Sequence, residues 1–250
     1  MKLRLDELLM QKNLFGSRAK AQASIIAGLI LVDDQKIEKP GIKVDETAEI
    51  RVLGDACPYV SRGGLKLAKA LDDFKVDVNG MTVADIGAGT GGFTDCLLQR
   101  GAKKVYAIDV GYGQIDWKLR NDPRVVVIER KNARELTLDA LGEKACPERS
   151  RRVDLVVMDV SFISILKILP AISNILKDNG IIVTLIKPQF EAGRNAVPRG
   201  GVIRDEKIHA KVIENIKTEI ANLGYNYMGQ TRSPITGREG NVEFFMYLKM

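Results

Sequence analysis

Apolar residues along positions 80–250 fall into two recurring patterns. Short, nearly continuous runs at 83–86, 104–109, 124–128, 153–159 and 181–187 predict buried strands, and two closing strands are read near 226–232 and 242–249. Segments 93–100, 114–120, 164–177 and 206–222 carry apolar side chains at helical spacing, and each predicts a helix. About seven strands alternating with helices predict an α/β fold built on a Rossmann-like, doubly wound sheet.

Residues 1–55 follow a different rhythm. Leu5, Leu8 and Leu9 sit at helical spacing, and Gly16-Ser17 offers an N-cap for a second helix that turns Ala21 and Ile25 inward and stops at Gly28. Two short strands follow, 29–32 and 48–53, the second alternating Ile50 and Val52 with polar residues. The expected division is a small α+β domain at 1–55, a linker at 56–60 containing Pro58, and a large domain at 61–250. The large domain opens on a helix for which Ser61 is the expected cap; Leu67, Ala70 and Leu71 form its apolar stripe and Lys66 lies off it.

Composition narrows the classes. With 250 residues, 45% of them hydrophobic, the chain can bury two cores. Cys57, Cys96 and Cys146 are scattered and His209 is the single histidine, so neither a disulfide framework nor a metal site is predicted, and a reducing cytoplasm fits. His209 reads as a packing or surface residue. Neither a signal peptide nor a membrane-length apolar run is present, which predicts a soluble protein without a membrane partner. The net charge of +6 is compatible with a polyanionic partner. Residues 1–55 nonetheless balance nine basic against nine acidic side chains, so only a polarised face there could hold RNA. A basic loop at Cys146–Arg152 and a Gly/Pro/Arg-rich loop at Gly193–Gly201 interrupt the alternation, the second as a candidate lid or RNA contact.

Chemistry concentrates at strand ends. The first large-domain strand runs into Gly87-Ala88-Gly89-Thr90-Gly91-Gly92-Phe93, a glycine turn opening a helix, where free N–H groups face a ligand. Asp109 ends the next strand, twenty residues beyond Gly89, where a carboxylate reaches ribose hydroxyls. These two features suit either a dinucleotide or S-adenosylmethionine. The closing strands, joined through Pro234–Asn241, depart from a dehydrogenase's second half and favour a methyltransferase sheet. Asp159, Lys187 and Glu243 occupy further strand ends on the same predicted edge.

Two resemblances add to this. Arg4-Leu5-Asp6, Ser17-Arg18, Ala21, Gly28 and Lys39-Pro40 resemble the S4 RNA-binding domain, which implies that Arg4, Arg18 and Lys20 line an RNA-gripping face while Asp33, Asp34, Asp45 and Glu46 lie elsewhere. Ser61-Arg62-Gly63-Gly64-Leu65-Lys66, Gly87–Thr94, Asp109–Gln114, Asp159–Ser164, Lys187–Glu191 and Gly240–Glu243 resemble, in order and over nearly the whole chain, the TlyA family. That family joins an S4 domain to an FtsJ-like class I methyltransferase domain, carries the hemolysin label, and methylates ribosomal RNA at the cytidine 2′-hydroxyl.

The resemblance implies a Lys-Asp-Lys-Glu tetrad at Lys66, Asp159, Lys187 and Glu243, and S-adenosylmethionine as cofactor. Lys187 is the implied base, Lys66 positions the hydroxyl, Asp159 orients Lys187 and approaches the methyl donor, and Glu243 anchors the lysines. An amine acts as a base only when neutral, which burial and a neighbouring lysine favour and carboxylates oppose. Around the cofactor it implies Asp85 orienting the turn, Gly87, Ala88, Gly89, Thr90, Gly91, Gly92 and Phe93 wrapping the methionine part, Asp109 on the ribose and Asn132 near the adenine. Arg62 joins the RNA-contacting set, and the partner is ribosomal RNA or a ribosomal subunit. The S4-like unit begins almost at the first residue, which with the resemblance leans toward a large-subunit target. A binding module with an inert scaffold, or a membrane-active hemolysin, are the alternatives.

Overall fold

The computed structural model describes residues 2–53, 57–142, 153–193, 196–237 and 239–250. They form two compact units, Met1–Ser61 and Arg62–Met250. Ala56 of the expected linker, the Cys146–Arg152 loop, and Arg194 and Asn195 of the Gly193–Gly201 loop lie outside the described residues.

In the small unit, β1 (Lys2–Arg4) leads into α1 (Leu5–Gln11) and α2 (Arg18–Ile26), followed by β2 (Ile30–Val32), β3 (Gln35–Ile37), β4 (Lys43–Asp45) and β5 (Ile50–Val52). The Ser17 hydroxyl caps α2 by accepting the Lys20 N–H at 3.3 Å, and Gly28 takes the left-handed turn after it at φ +68°. Leu5, Leu8, Leu9, Ala21 and Ile25 make the core with Ile30 and Val32. Three strands are additional to the two expected. β1 pairs with β4, and β3 flanks β2 across a two-residue turn in which Asp33 and Asp34 both have positive φ. Aspartate tolerates that conformation better than most residues, so the Asp-Asp pair was the available hairpin signal.

The large unit contains α3 (Gly63–Phe74), β6 (Thr82–Ile86), α4 (Gly92–Gln99), β7 (Lys104–Ile108), α5 (Trp117–Arg120), β8 (Val125–Ile128), β9 (Val153–Met158), α6 (Leu169–Ile172), β10 (Leu176–Ile186), α7 (Pro188–Glu191), α8 (Glu206–Asn222), β11 (Asn226–Arg232) and β12 (Phe244–Lys249). Its seven strands form one sheet in the order β11-β12-β10-β9-β6-β7-β8, with β12 antiparallel to both neighbours and the β10-β9-β6-β7-β8 pairs parallel. On one face, Ile86, Ile108, Met158 and Ile186 pack with α6 and α8 through Leu169, Ile172, Val212 and Ile216. On the other, Asp85 meets Thr94 of α4, so helices cover both faces as a parallel sheet requires.

Two local expectations fail. The helix at 164–177 is instead a 3-10 turn at Ile165–Lys167 and the single turn of α6, after which Leu176 begins β10. Pro170 lacks an N–H and is tolerated only in a first helical turn, which resets the helix there. Ser61 does not cap α3; Arg62 holds that position, with no side-chain cap bond. Leu67, Ala70 and Leu71 are buried as the stripe requires. Among the described residues no helix is long and apolar enough to cross a membrane, and no group of three His, Cys, Asp or Glu side chains converges as a metal site.

Candidate active site

The site is built from consecutive strand ends. Ile186 pairs with Phe244 in an antiparallel ladder, so the next residues out, Lys187 and Glu243, are neighbours. Thr184 pairs with Met158 and Ile86 with Met158 in parallel ladders, which brings Asp159 beside Gly87. Ile86 pairs with Ile108, and Asp109 follows. Reading across β12, β10, β9, β6 and β7, one edge therefore carries Glu243, Lys187, Asp159, Gly87 and Asp109 in that order. In a parallel sheet this is the edge where ligands bind.

Two amine–carboxylate pairs occupy it. Lys66, from α3, bonds Glu243 at 2.5 Å, with 12% and 2% of the side chains exposed. Lys187 lies 2.7 Å from Asp159 Oδ1 and makes its directed hydrogen bond to Ser161 Oγ at 2.8 Å. Desolvating an ammonium is costly unless it is paired, so this burial of two lysines is selective. Ser161 had no role assigned from sequence; its signal was its place two residues after Asp159.

Beside these pairs, a cleft of about 610 Å³ opens over β9, β6 and β7, lined by Gly87, Gly89, Asp109, Asn132, Asp159 and Lys187 among others. Gly87 and Gly89 have φ of +80° and +52°. A Cβ on Gly87 would stand 2.5 Å from the Asp159 carbonyl oxygen, so only glycine fits that crossing. The Asp109 carboxylate accepts the Gly89 and Gly111 N–H groups at 2.8 and 2.7 Å and so fixes the turn while facing the cleft. Asn132 accepts the Arg134 N–H at 3.1 Å, capping a 3-10 turn on the cleft's wall.

Other expected cofactor residues sit deeper. Asp85 is fully buried, its Oδ2 accepting the Thr94 hydroxyl at 2.6 Å and its Oδ1 without a partner. Burial, reinforced by the nearby Asp159 and Asp109 charges and only partly offset by Thr94, pushes its carboxyl up to about 7. It underlies the turn with no surface left for a ligand. Gly91, Gly92 and Phe93 are likewise buried at the start of α4, Phe93 against Phe245, whereas Gly87, Ala88, Gly89 and Thr90 retain exposed surface.

Phe162 is a residue that sequence reasoning left without a role. It is 90% exposed, holds φ +65°, and has its ring 5.0 Å from that of Phe190. A bulky side chain in the left-handed region is strained, so the turn after Asp159 holds this ring out to solvent at a cost. Glu191 steadies that turn by accepting the Ile165 N–H at 2.9 Å, and burial pushes its carboxyl up.

In the small unit, Arg4 and Arg18 each bond Asp6 at 3.0 Å, and Gln22 donates to the same carboxylate at 2.6 Å. Asp6 is fully buried, and these bonds hold its carboxyl well below the usual range. Lys20 and, in the large unit, Arg62 are exposed. His209 is buried, with its ring against Phe244 and Nε2 3.1 Å from the Ile203 carbonyl oxygen, a packing histidine as expected.

Comparison with known proteins agrees with this architecture. Residues 59–250 match the FtsJ-like methyltransferase family and residues 3–50 the S4 domain. The chain is 44% identical to the 16S/23S rRNA (cytidine-2′-O)-methyltransferase TlyA of Mycobacterium tuberculosis over 98% of its own length and 89% of that protein's. It is also 44% identical to Hemolysin A of Brachyspira hyodysenteriae, covering 98% of this chain and 99% of the other. A solved hemolysin-labelled structure from Streptococcus thermophilus superposes with a TM-score of 0.77 at 43% identity, over 99% of this chain and 88% of that one. The chain belongs to the FtsJ-like methyltransferase family, in its S4-bearing TlyA branch.

Proposed function

We propose that the protein methylates the 2′-hydroxyl of a cytidine in ribosomal RNA, with S-adenosylmethionine as donor and Lys66, Asp159, Lys187 and Glu243 as its catalytic tetrad. In this reading residues 1–55 bind RNA, 56–60 connect, and 61–250 catalyse. The observation that carries the reading is two largely buried amine–carboxylate contacts at neighbouring strand ends, one of them reached from α3, beside a glycine-turned cleft. The TlyA relative's named substrate supplies the choice of ribose and base.

The donor brings a methyl group already activated by its sulfonium charge. Gly87, Ala88, Gly89 and Thr90 would hold its methionine part and Asp109 its ribose, with Asn132 on the adenine side and Asp85 bracing the turn from beneath. A hydroxyl is a weak nucleophile until its proton leaves, so the protein's task is alignment and a base. Lys187 takes that proton when its amine is neutral. Asp159 and Ser161 aim the amine, while Lys66, anchored by Glu243, steadies the oxygen as negative charge develops. Phe162 offers a face on which a base lifted from its stack can lie.

Transfer of a labelled methyl group to ribosomal RNA, followed by mapping of ribose methylation, tests the assignment. Label confined to base positions would refute it. Full activity in folded Lys66→Ala and Lys187→Ala variants would refute the tetrad.

A further inference from the structure

Several arginines of the large unit contrast in their partners. Arg100, Arg120 and Arg124 are held by Asp72, Glu129 and Asp122 at 2.7, 2.5 and 2.7 Å. The side chains of Arg204 and Arg232 are exposed and make no hydrogen bond or ion pair among the described residues. Both line one groove of about 530 Å³ between the first half of α8 and the ends of β11 and β12.

Register places that groove at the reactive end of the sheet, on the face covered by α8, whereas Glu243 meets Lys66 on the opposite face. Arg232 ends β11 opposite Phe244, and the next residue, Ser233, donates its N–H to the Glu243 carbonyl oxygen at 2.9 Å. Arg232 thus stands one strand outside Glu243, on the side of Lys187 away from the donor cleft. In-line transfer needs donor and acceptor on opposite sides of the reacting centre, which leaves β12 and β11 as an approach for the acceptor strand.

The groove's chemistry suits a polyanion. Glu206 and Glu214 also face it, but Glu214 is bonded to Lys217 at 2.7 Å, leaving one unpaired carboxylate against two guanidiniums. Ile213 and Phe244 give it apolar surface for a sugar. Its wall is fixed: the Asn241 side chain, 1% exposed, accepts the Ile203 N–H and donates to the Gly201 carbonyl oxygen, both at 2.9 Å. The segment bearing Arg204 is thereby tied to the strand that follows Glu243.

We propose that this groove binds the phosphodiester backbone of the RNA strand adjoining the modified nucleotide, with Arg204 and Arg232 as its cationic walls; this rests on the RNA-methyltransferase reading above. The test is a salt titration of ribosomal RNA fragment binding with the full chain and with an Arg204→Ala/Arg232→Ala double variant. The double variant is expected to bind RNA at least several-fold more weakly, with a slope of log affinity against log salt shallower by about one to two. S-adenosylmethionine affinity should be unchanged, and Arg204→Lys/Arg232→Lys should retain most of the slope. A double alanine variant with the wild-type slope overturns the proposal. So does inorganic phosphate that binds the wild type through these arginines while their loss leaves RNA binding intact, because the groove would then be a small-anion site. If the wild-type protein binds RNA but methylates none, the functional reading fails and the slopes still report on the groove.

Discussion

Arg4 and Arg18 in the small unit keep 42% and 50% of their side chains exposed while sharing a carboxylate, Asp6, that is fully buried. Lys66 and Lys187 in the large unit are each only 12% exposed against Glu243 and Asp159. Both units pair cations with acids, yet one turns its cations outward from an anchored anion and the other draws them into a strand edge. The outward arrangement holds two guanidiniums in fixed directions while leaving donors free for an external phosphate. The inward arrangement removes water from the amines to which the proposed mechanism gives the proton chemistry. Under the proposed function, the same pairing serves recognition in one unit and chemistry in the other.

Removing an inward amine should have the largest effect. Lys187→Ala is expected to lower the rate of methyl transfer by about 10²- to 10⁴-fold, measured by single-turnover transfer, with circular dichroism unchanged. A smaller loss would move the base elsewhere on the edge.

Asp85 tests how far the inward design extends. Its carboxyl is raised from an ordinary 3.8 to about 7, so the folded protein holds a proton that the unfolded chain releases. Stability from this group is fully present below about pH 4 and is lost as pH rises through 7. Asp85→Asn should abolish that slope and gain on the wild type between pH 4 and pH 8, by at most about 4 kcal/mol. Parallel chemical denaturation curves across that range would read the difference, and parallel profiles would show that the carboxyl is not held neutral.

Asp6→Ala should cost the small unit about 2 kcal/mol by stripping three donors of their shared acceptor. Its depressed carboxyl contributes stability above its ordinary value of 3.8 that is lost as pH falls below it. Thermal melting of wild type and variant at pH 7 and pH 3 should therefore differ most at pH 7. Arg18→Ala is the smallest change: being half exposed, it should shift stability by less than about 1 kcal/mol. Its expected effect lies in RNA binding, weakened evenly across sequences with a salt slope shallower by about one. A large loss of stability with RNA binding intact would make Arg18 a structural residue and dissolve the contrast between the units.

Much of this was legible in the chain because period and glycine placement are local signals. Nearly continuous apolar runs marked the five parallel strands, since strands buried on both faces need no alternation, whereas the edge strand β11 is polar and exposed. Asp159, Lys187 and Glu243 of the proposed tetrad were legible as strand ends, and Lys66, on a helix, only through the family resemblance. Their pairing was not, because Lys66 and Glu243 are 177 residues apart and meet only through the sheet order. The segment 164–177 misled because its apolar spacing suits a helix, while Pro170 and the tertiary demand for a longer β10 outweigh that local preference. Asp6 read as one of nine acids that cancelled nine bases; only folding shows that it organises two of those bases.

Gly87 sets a tolerance between two working parts. With less than a methyl group's room between it and the Asp159 carbonyl, the glycine turn and the end of β9, proposed to hold the donor and to orient the base, are machined against each other without a gasket. A change that shifts one must shift the other, so under the proposed function specificity for the donor cannot be retuned at this crossing without also re-aiming the lysine that Asp159 holds.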